Sequence, residues 1–226
     1  YKSEQIENIT VDGKKRKLYK LSTIDNEVRI VKILFDKMRE LKSQTKLETY
    51  TIQHDIKTKN DKAYTRWGLK NILINPVYAI ADQDTLYYFR NLGIEIYADE
   101  KEFDGIHGLM VYNKTEKKKN QIVRKDVNDW IVAVGKHKGI ISGKEWVEVQ
   151  NLLDQNSDMK YRKPSTSNAL LSGILRCSHC GSFMRAKLKN KMISADGRRV
   201  FDYMCELKDK SRKQKCREHY RLEECC

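Results

Sequence analysis

All six cysteines of this chain lie between positions 177 and 226, and none precedes them. The run Cys177-Ser-His-Cys180-Gly181 sets two thiols one turn apart, followed by a glycine that permits a tight backbone with N–H groups aimed at sulfur. This constrains the fold more than composition does. It marks off a short carboxy-terminal segment that can bury little apolar surface and gives it a metal ion as an alternative anchor. Cys205 and Cys216 form a less regular second half, so the template of two C-x2-C knuckles fails. Between the halves, residues 183–189, the dipeptide Asp196-Gly197 and residues 200–204 predict a hairpin that returns Cys205 beside the knuckle. Four thiolates close a tetrahedral Zn2+ site with no position left for water, which makes the ion structural. The expected ligands are Cys177, Cys180, Cys205 and Cys216, with His179 and His219 as rivals and Cys225 and Cys226 spare. Free buried thiols are the plain alternative. A thioredoxin-type pair would need a helix after its second cysteine, whereas Gly-Ser and a strand-like run follow Cys180.

The remaining sequence predicts an α+β chain. Asp12-Gly13 between two β-prone runs predicts a basic hairpin at 9–21. Ile24, Val28, Val31, Leu34, Phe35, Met38 and Leu41 repeat near 3.6, predicting a helix at 24–42, with Ser22 and Asp25 spaced as a capping box. Two shorter helices over 45–56 and 65–74 flank a polar turn, giving a helix-turn-helix-like element stopped by Asn75-Pro76. Trp67 and Leu73 are its expected core residues. A helix at 84–92 closed by Gly93 and short strands at 94–98, 108–112 and 130–134 follow. Ser142 and Glu145 form a second capping box for a helix at 143–155. The domain division is 1–157, a basic linker at 158–168 containing Pro164, and 169–226.

Charge narrows the partner. Lys plus Arg number 45 against 31 Asp plus Glu, a net charge of +14. Residues 169–226 hold 14 basic and 7 acidic side chains. Basic clusters recur at Lys14 to Lys17, through Lys57, Lys59, Lys62, Arg66 and Lys70, and at Lys117 to Lys119. A single lysine run is usually a solvated face, but recurrence on several elements points to a polyanion, double-stranded DNA. The candidate contacts are Thr65, Arg66, Lys70 and Asn71 on the second helix of the helix-turn-helix, Arg162 and Lys163 in the linker, and Arg185 and Lys187 in the ribbon. No run of about 18 apolar residues occurs, and the amino-terminal residues lack a signal-peptide pattern, so no membrane partner and a cytoplasmic location are expected.

With these residues in view, the chain resembles the large serine recombinases, the phage integrases and transposon recombinases. The resemblance runs in order through Tyr1-Lys2 and residues 26–38, 67–79, 137–153 and 170–184; residues 82–109 are similar to members from conjugative transposons. It implies a recombinase domain at 1–157, a zinc-ribbon domain at 169–226, and binding of both to attachment-site DNA. It also implies that the nucleophilic serine lies in an amino-terminal resolvase-like domain outside this chain. The chain is then expected to be a truncated, catalytically inactive part of an enzyme that self-associates on DNA in the bacterial nucleoid. The alternatives are a Mg2+-dependent nuclease using Asp82, Asp84 and Glu95, and a ribbon that docks RNA or protein.

Overall fold

The structure, a computed structural model, describes residues 1–11, 14–119, 121–157, 169–193, 199–216 and 222–223. The chain divides into two compact units, residues 1–44 with 66–159, and residues 45–65 with 160–226. Both combine helices with small sheets, an α+β architecture. No helix among the described residues is long and apolar enough to cross a membrane.

The first unit opens with antiparallel strands β1 (Lys2–Val11) and β2 (Lys14–Ser22), whose facing ends Val11 and Lys14 are in register. Asp12 and Gly13, the expected turn, lie outside the described residues. Helix α1 (Asp25–Leu41) turns Val31, Leu34, Phe35 and Met38 inward, the stripe its 3.6-residue period requires. Its expected capping box is absent. Ser22 belongs to β2 and donates its hydroxyl to the Lys2 carbonyl oxygen at 3.4 Å, while Ile24 stands at the N-cap without a side-chain bond. Strand pairing takes the serine that a helix start would have used.

Helix α2 (Gln44–Gln53) falls almost wholly in the second unit, and α3 (Arg66–Leu73) in the first. After Pro76, which opens a 3-10 turn, α4 (Gln83–Asn91) ends before Gly93 at φ 68°, a left-handed position that favours glycine. Strands β3 (Glu95–Ile96) and β4 (His107–Tyr112) follow. Next comes a two-stranded hairpin of β5 (Thr115–Lys118) and β6 (Gln121–Arg124), and β7 (Ile131–Lys138) then runs between β3 and β4. Helix α5 (Gly143–Ser157) packs on α1, α3 and α4. Trp146 meets Tyr88 edge-on at 5.3 Å and Phe89 at 5.7 Å between ring centres.

Asp82 joins the starts of two helices. Its Oδ1 accepts the Thr85 N–H at 3.1 Å and its Oδ2 accepts the Gly143 N–H at 2.7 Å. A carboxylate there satisfies otherwise unpaired donors and meets the positive ends of both helix dipoles. A Cβ on Gly143 would fall 1.8 Å from Oδ1, so only glycine admits this approach. The capping box at α5 is half formed: Glu145 donates its N–H to Ser142 Oγ at 3.4 Å, and its carboxylate accepts the Ser142 hydroxyl and the Arg39 guanidinium.

In the second unit, α2 buries Leu47, Glu48, Thr51 and Ile52. The polar turn after it is closed by a bridge between Lys57 and Ala63. Antiparallel strands β8 (Met184–Ile193) and β9 (Arg199–Cys205) form the ribbon, with α6 (Glu206–Lys210) after it and β10 (Leu222–Glu223) on the outer side of β9. Asp196 and Gly197 lie outside the described residues, as does all of the stretch 158–168. The apolar centre is small: Ala169, Met184, Phe201 and Tyr203 with Cys177 and Cys205. Tyr203 belongs to it by its ring and to the polar frame by its hydroxyl, which accepts the Leu171 N–H at 3.0 Å.

Candidate functional site

The ribbon brings together four thiols from three places in the chain. Cys177 and Cys180 sit on a turn in which Gly181 donates to the Cys177 carbonyl at 2.8 Å and Cys177 donates to the Ser182 carbonyl at 2.8 Å, with Gly181 at φ 70°. Cys205 ends β9. Cys216 is returned by the turn after α6, where Arg212, Lys213 and Cys216 all have positive φ and Lys213 donates to the Lys208 carbonyl at 2.8 Å. This tight return replaces the second C-x2-C knuckle and explains how cysteines so far apart in sequence converge.

All four Sγ atoms lie within 4.8 Å of one another, with Cys177 to Cys216 at 3.5 Å and Cys180 to Cys205 at 3.4 Å. Four sulfurs bound at about 2.3 Å to one tetrahedral Zn2+ stand about 3.8 Å apart, so the residues present fit that ion. His179 is exposed and outside the group, while His219, Cys225 and Cys226 lie outside the described residues.

The protonation chemistry points the same way. Burial opposes ionisation of Cys180, but hydrogen bonds from the Ser182 hydroxyl and N–H, and from Cys205 and Cys216, outweigh it and bring the thiol down to about 6. Burial pushes Cys205 and Cys216 up; the three other sulfurs add to the rise in Cys216, whereas in Cys205 only Cys180 does, and the Lys208 N–H and Cys216 partly oppose it. One thiolate therefore forms easily and makes the next harder to form. A divalent cation removes that conflict by stabilising every thiolate at once.

The Cys216 turn is supported from within its own unit. The Ser211 hydroxyl oxygen accepts the Lys215 N–H at 2.9 Å, and Gln53 Nε2 donates to the Ser211 carbonyl at 3.1 Å. Lys215 pairs with Asp55, and Lys210 reaches Glu48 at 3.2 Å and Glu206 at 3.1 Å. The supporting role of residues 48–55 carries no local sequence signature, because the contacts cross more than 150 positions.

The expected DNA contacts are dispersed. Thr65 is exposed just before α3, and Arg66 and Lys70 are exposed on it. Asn71 is half-buried, and its Oδ1 accepts Arg124 Nη1 at 2.9 Å. Leu73 is buried as expected, but Trp67, the other expected core residue, is 77 % exposed. Leu69 and Leu73, four residues apart, take the inward face of α3, and Trp67 lies about 200° around the axis from Leu69. Arg185 and Lys187 share one face of β8 and both pair with Asp209, at 3.6 and 2.7 Å. Arg162 and Lys163 lie outside the described residues.

Beside α3, a hollow of about 440 Å3 is lined by Trp67, Lys70, Asn71, Arg124, Lys125 and Trp130 among others. Arg124 and Lys125, at the root of the β5–β6 hairpin, were not singled out from sequence; the Lys-rich run before them masks a hairpin. Of the acids considered for a nuclease, Asp82 is occupied in capping two helices, while Asp84 and Glu95 are exposed. The three do not form a metal-sized group, and among the described residues the group found is the four cysteines.

Comparison with known proteins places this arrangement. The recombinase family matches residues 25–156, and the recombinase zinc beta ribbon domain matches residues 170–225. No curated protein matches. Among solved structures, a crystal structure of an LSR–DNA complex is 15 % identical with a TM-score of 0.33, over 95 % of this chain and 52 % of that one. A structure from work on the sequence requirements of the Listeria innocua prophage attP site is 16 % identical with a TM-score of 0.32, over 96 % of this chain and 70 % of that one. The chain thus spans about half the length of the first. With more than half of its residues inside the first family match and most of the remainder inside the second, the chain belongs to the recombinase family and carries that family's zinc β-ribbon domain.

Proposed function

We propose that this chain is the duplex-DNA-binding part of a site-specific serine recombinase. It recognises an attachment site, while strand cleavage through a serine belongs to a resolvase-like domain elsewhere in the parent enzyme. The proposed contacts are Thr65, Arg66, Lys70 and Asn71 around α3, Arg162 and Lys163, and Arg185 and Lys187 on β8. Structural Zn2+ on Cys177, Cys180, Cys205 and Cys216 holds the ribbon in shape. The parent enzyme self-associates on its site and works at the nucleoid.

The observation that carries the DNA reading is the exposed cationic face of α3, where Arg66 and Lys70 stand clear of the buried Leu69 and Leu73 in a family chain of net charge +14. The zinc reading is supported by four sulfurs within 4.8 Å, which suit a closed tetrahedral ion.

The test is selection of duplexes from a randomised pool, followed by binding to the selected duplex at two salt concentrations. Affinity falls steeply with salt, because counterions leave the phosphates that lysine and arginine neutralise. Arg66→Ala or Lys70→Ala changes base preference at defined positions by about 1–3 kcal/mol. Binding indifferent to salt, or no selected duplex, refutes the proposal.

A further inference from the structure

We propose that the β5–β6 hairpin is a second DNA-contacting element, laid in the major groove beside α3, with Lys117 on phosphate and Ile122 on a base edge. This deepens the DNA-binding reading and rests on it.

The hairpin is built for contact outside its own unit. Thr115 pairs with Arg124, Glu116 with Val123, Lys117 with Ile122 and Lys118 with Gln121, and every residue of both strands is exposed. No third strand joins it among the described residues. A two-stranded ribbon with neither face covered is marginal in water by itself, and Ile122 is 76 % exposed. Between positions 114 and 125 the sequence carries six Lys and Arg against one Glu. The complementary partner is a polyanion with apolar features, and a B-form major groove presents both phosphates and thymine methyl groups.

Its root is tied to the α3 region at both ends. Arg124 donates to Asn71 at 2.9 Å and lies 5.6 Å from the centre of the Trp130 ring. Lys114 Nζ donates to Asn75 Oδ1 at 3.4 Å, and Lys125 Nζ to Asn113 Oδ1 at 2.8 Å. Directly paired residues in an antiparallel ribbon point to the same side, so Thr115, Lys117, Ile122 and Arg124 share one face. That is the face Arg124 turns toward α3, where Trp67 and Lys70 are also exposed. Glu116 and Lys118, which approach at 3.5 Å, occupy the other face. The cation and the apolar side chain left unpaired by the ribbon's own ion pair thus lie on the side of the proposed reading helix. Four residues per strand give a reach of about 14 Å, and a two-stranded ribbon is one of the elements a major groove about 12 Å wide admits.

The test uses the whole chain and a duplex it selects from a randomised pool. In one variant, residues 116–123 are replaced by Asn-Gly, retaining Thr115 and Arg124; in a second, Ile122→Ala changes one exposed side chain. The shortened hairpin should lose about tenfold or more in affinity, lose backbone protection on one flank of the footprint, and give a salt slope shallower by about one per phosphate contact removed. Ile122→Ala should bind several-fold more weakly. Replacing one contacted thymine by deoxyuridine should weaken the wild-type chain but not this variant. Unchanged footprint, slope and affinity in both variants, on a duplex the wild type binds, overturns the hairpin proposal and leaves the broader reading standing. Failure of the wild type to select any duplex overturns both.

Discussion

The two units solve the same problem with different means. The first surrounds Leu34, Phe35, Met38, Leu69, Leu86, Phe89, Val132 and Trp146 with helices and a three-stranded sheet, so its order comes from apolar area removed from water. Among the described residues the second has a much smaller apolar centre, two of whose six buried members are cysteines. Area supports the one, and coordination is proposed to support the other. A distributed core loses stability in increments as side chains are trimmed, whereas a four-ligand knot is either tied or not.

The largest separation between the units is expected on removing metal. Chelation, or Cys205→Ser, should abolish the tertiary signal of the ribbon while the helices of the first unit keep theirs, since structural zinc contributes on the order of 10 kcal/mol to small domains. Stoichiometric zinc and hydrogen exchange resolved along the chain measure this, and a ribbon that stays protected in chelator breaks the comparison. Next in size, Phe89→Ala should cost the first unit about 3–5 kcal/mol in denaturant unfolding without changing zinc content. Asp82→Ala should cost about 2 kcal/mol, because both helix starts lose their acceptor together; Asp82→Asn should recover part of it.

The smallest effect is a pH dependence confined to the first unit. His137 is buried, its Nε2 donates to the Val77 carbonyl at 2.9 Å, and Gly108 and Gly135 leave the space its ring occupies. Burial holds its pKa below the usual histidine value, the Val77 contact partly opposes this, and His107 lowers it further. The folded state then binds fewer protons than the unfolded one over this range. Stability is therefore present above the unfolded value of about 6.5 and is lost as pH falls from there through the folded value. His137→Gln should flatten that slope, as read by unfolding midpoints between neutral and mildly acidic pH.

Elements whose signals are local were legible in the sequence. The α1 stripe from Val31 to Met38, the stop at Asn75-Pro76 and the paired thiols of Cys177 and Cys180 each announce themselves within a few residues. Elements decided by competition or by distant partners were not. Ser22 could serve a strand or a helix start, and the strand took it. Trp67 was assigned inward by residue type, although its angular position relative to Leu69 and Leu73 puts it outside. The β5–β6 hairpin has no buried face, so it shows no alternation of apolar and polar residues to betray it. The return of Cys216 depends on left-handed residues such as Arg212 and Lys213, which carry no glycine signature.

Residues 45–65 cluster with the cysteine-bearing unit although they are threaded between α1 and α3 of the other. Gln53, Asp55 and Glu48 brace Ser211, Lys215 and Lys210 from there. A cut placed anywhere between 157 and 169 would strip those braces from the metal-binding piece. Dissecting the protein into independently expressed halves should therefore yield a weaker ion-holder than the intact polypeptide, and grafting the ribbon onto another carrier would have to bring this distant stretch along.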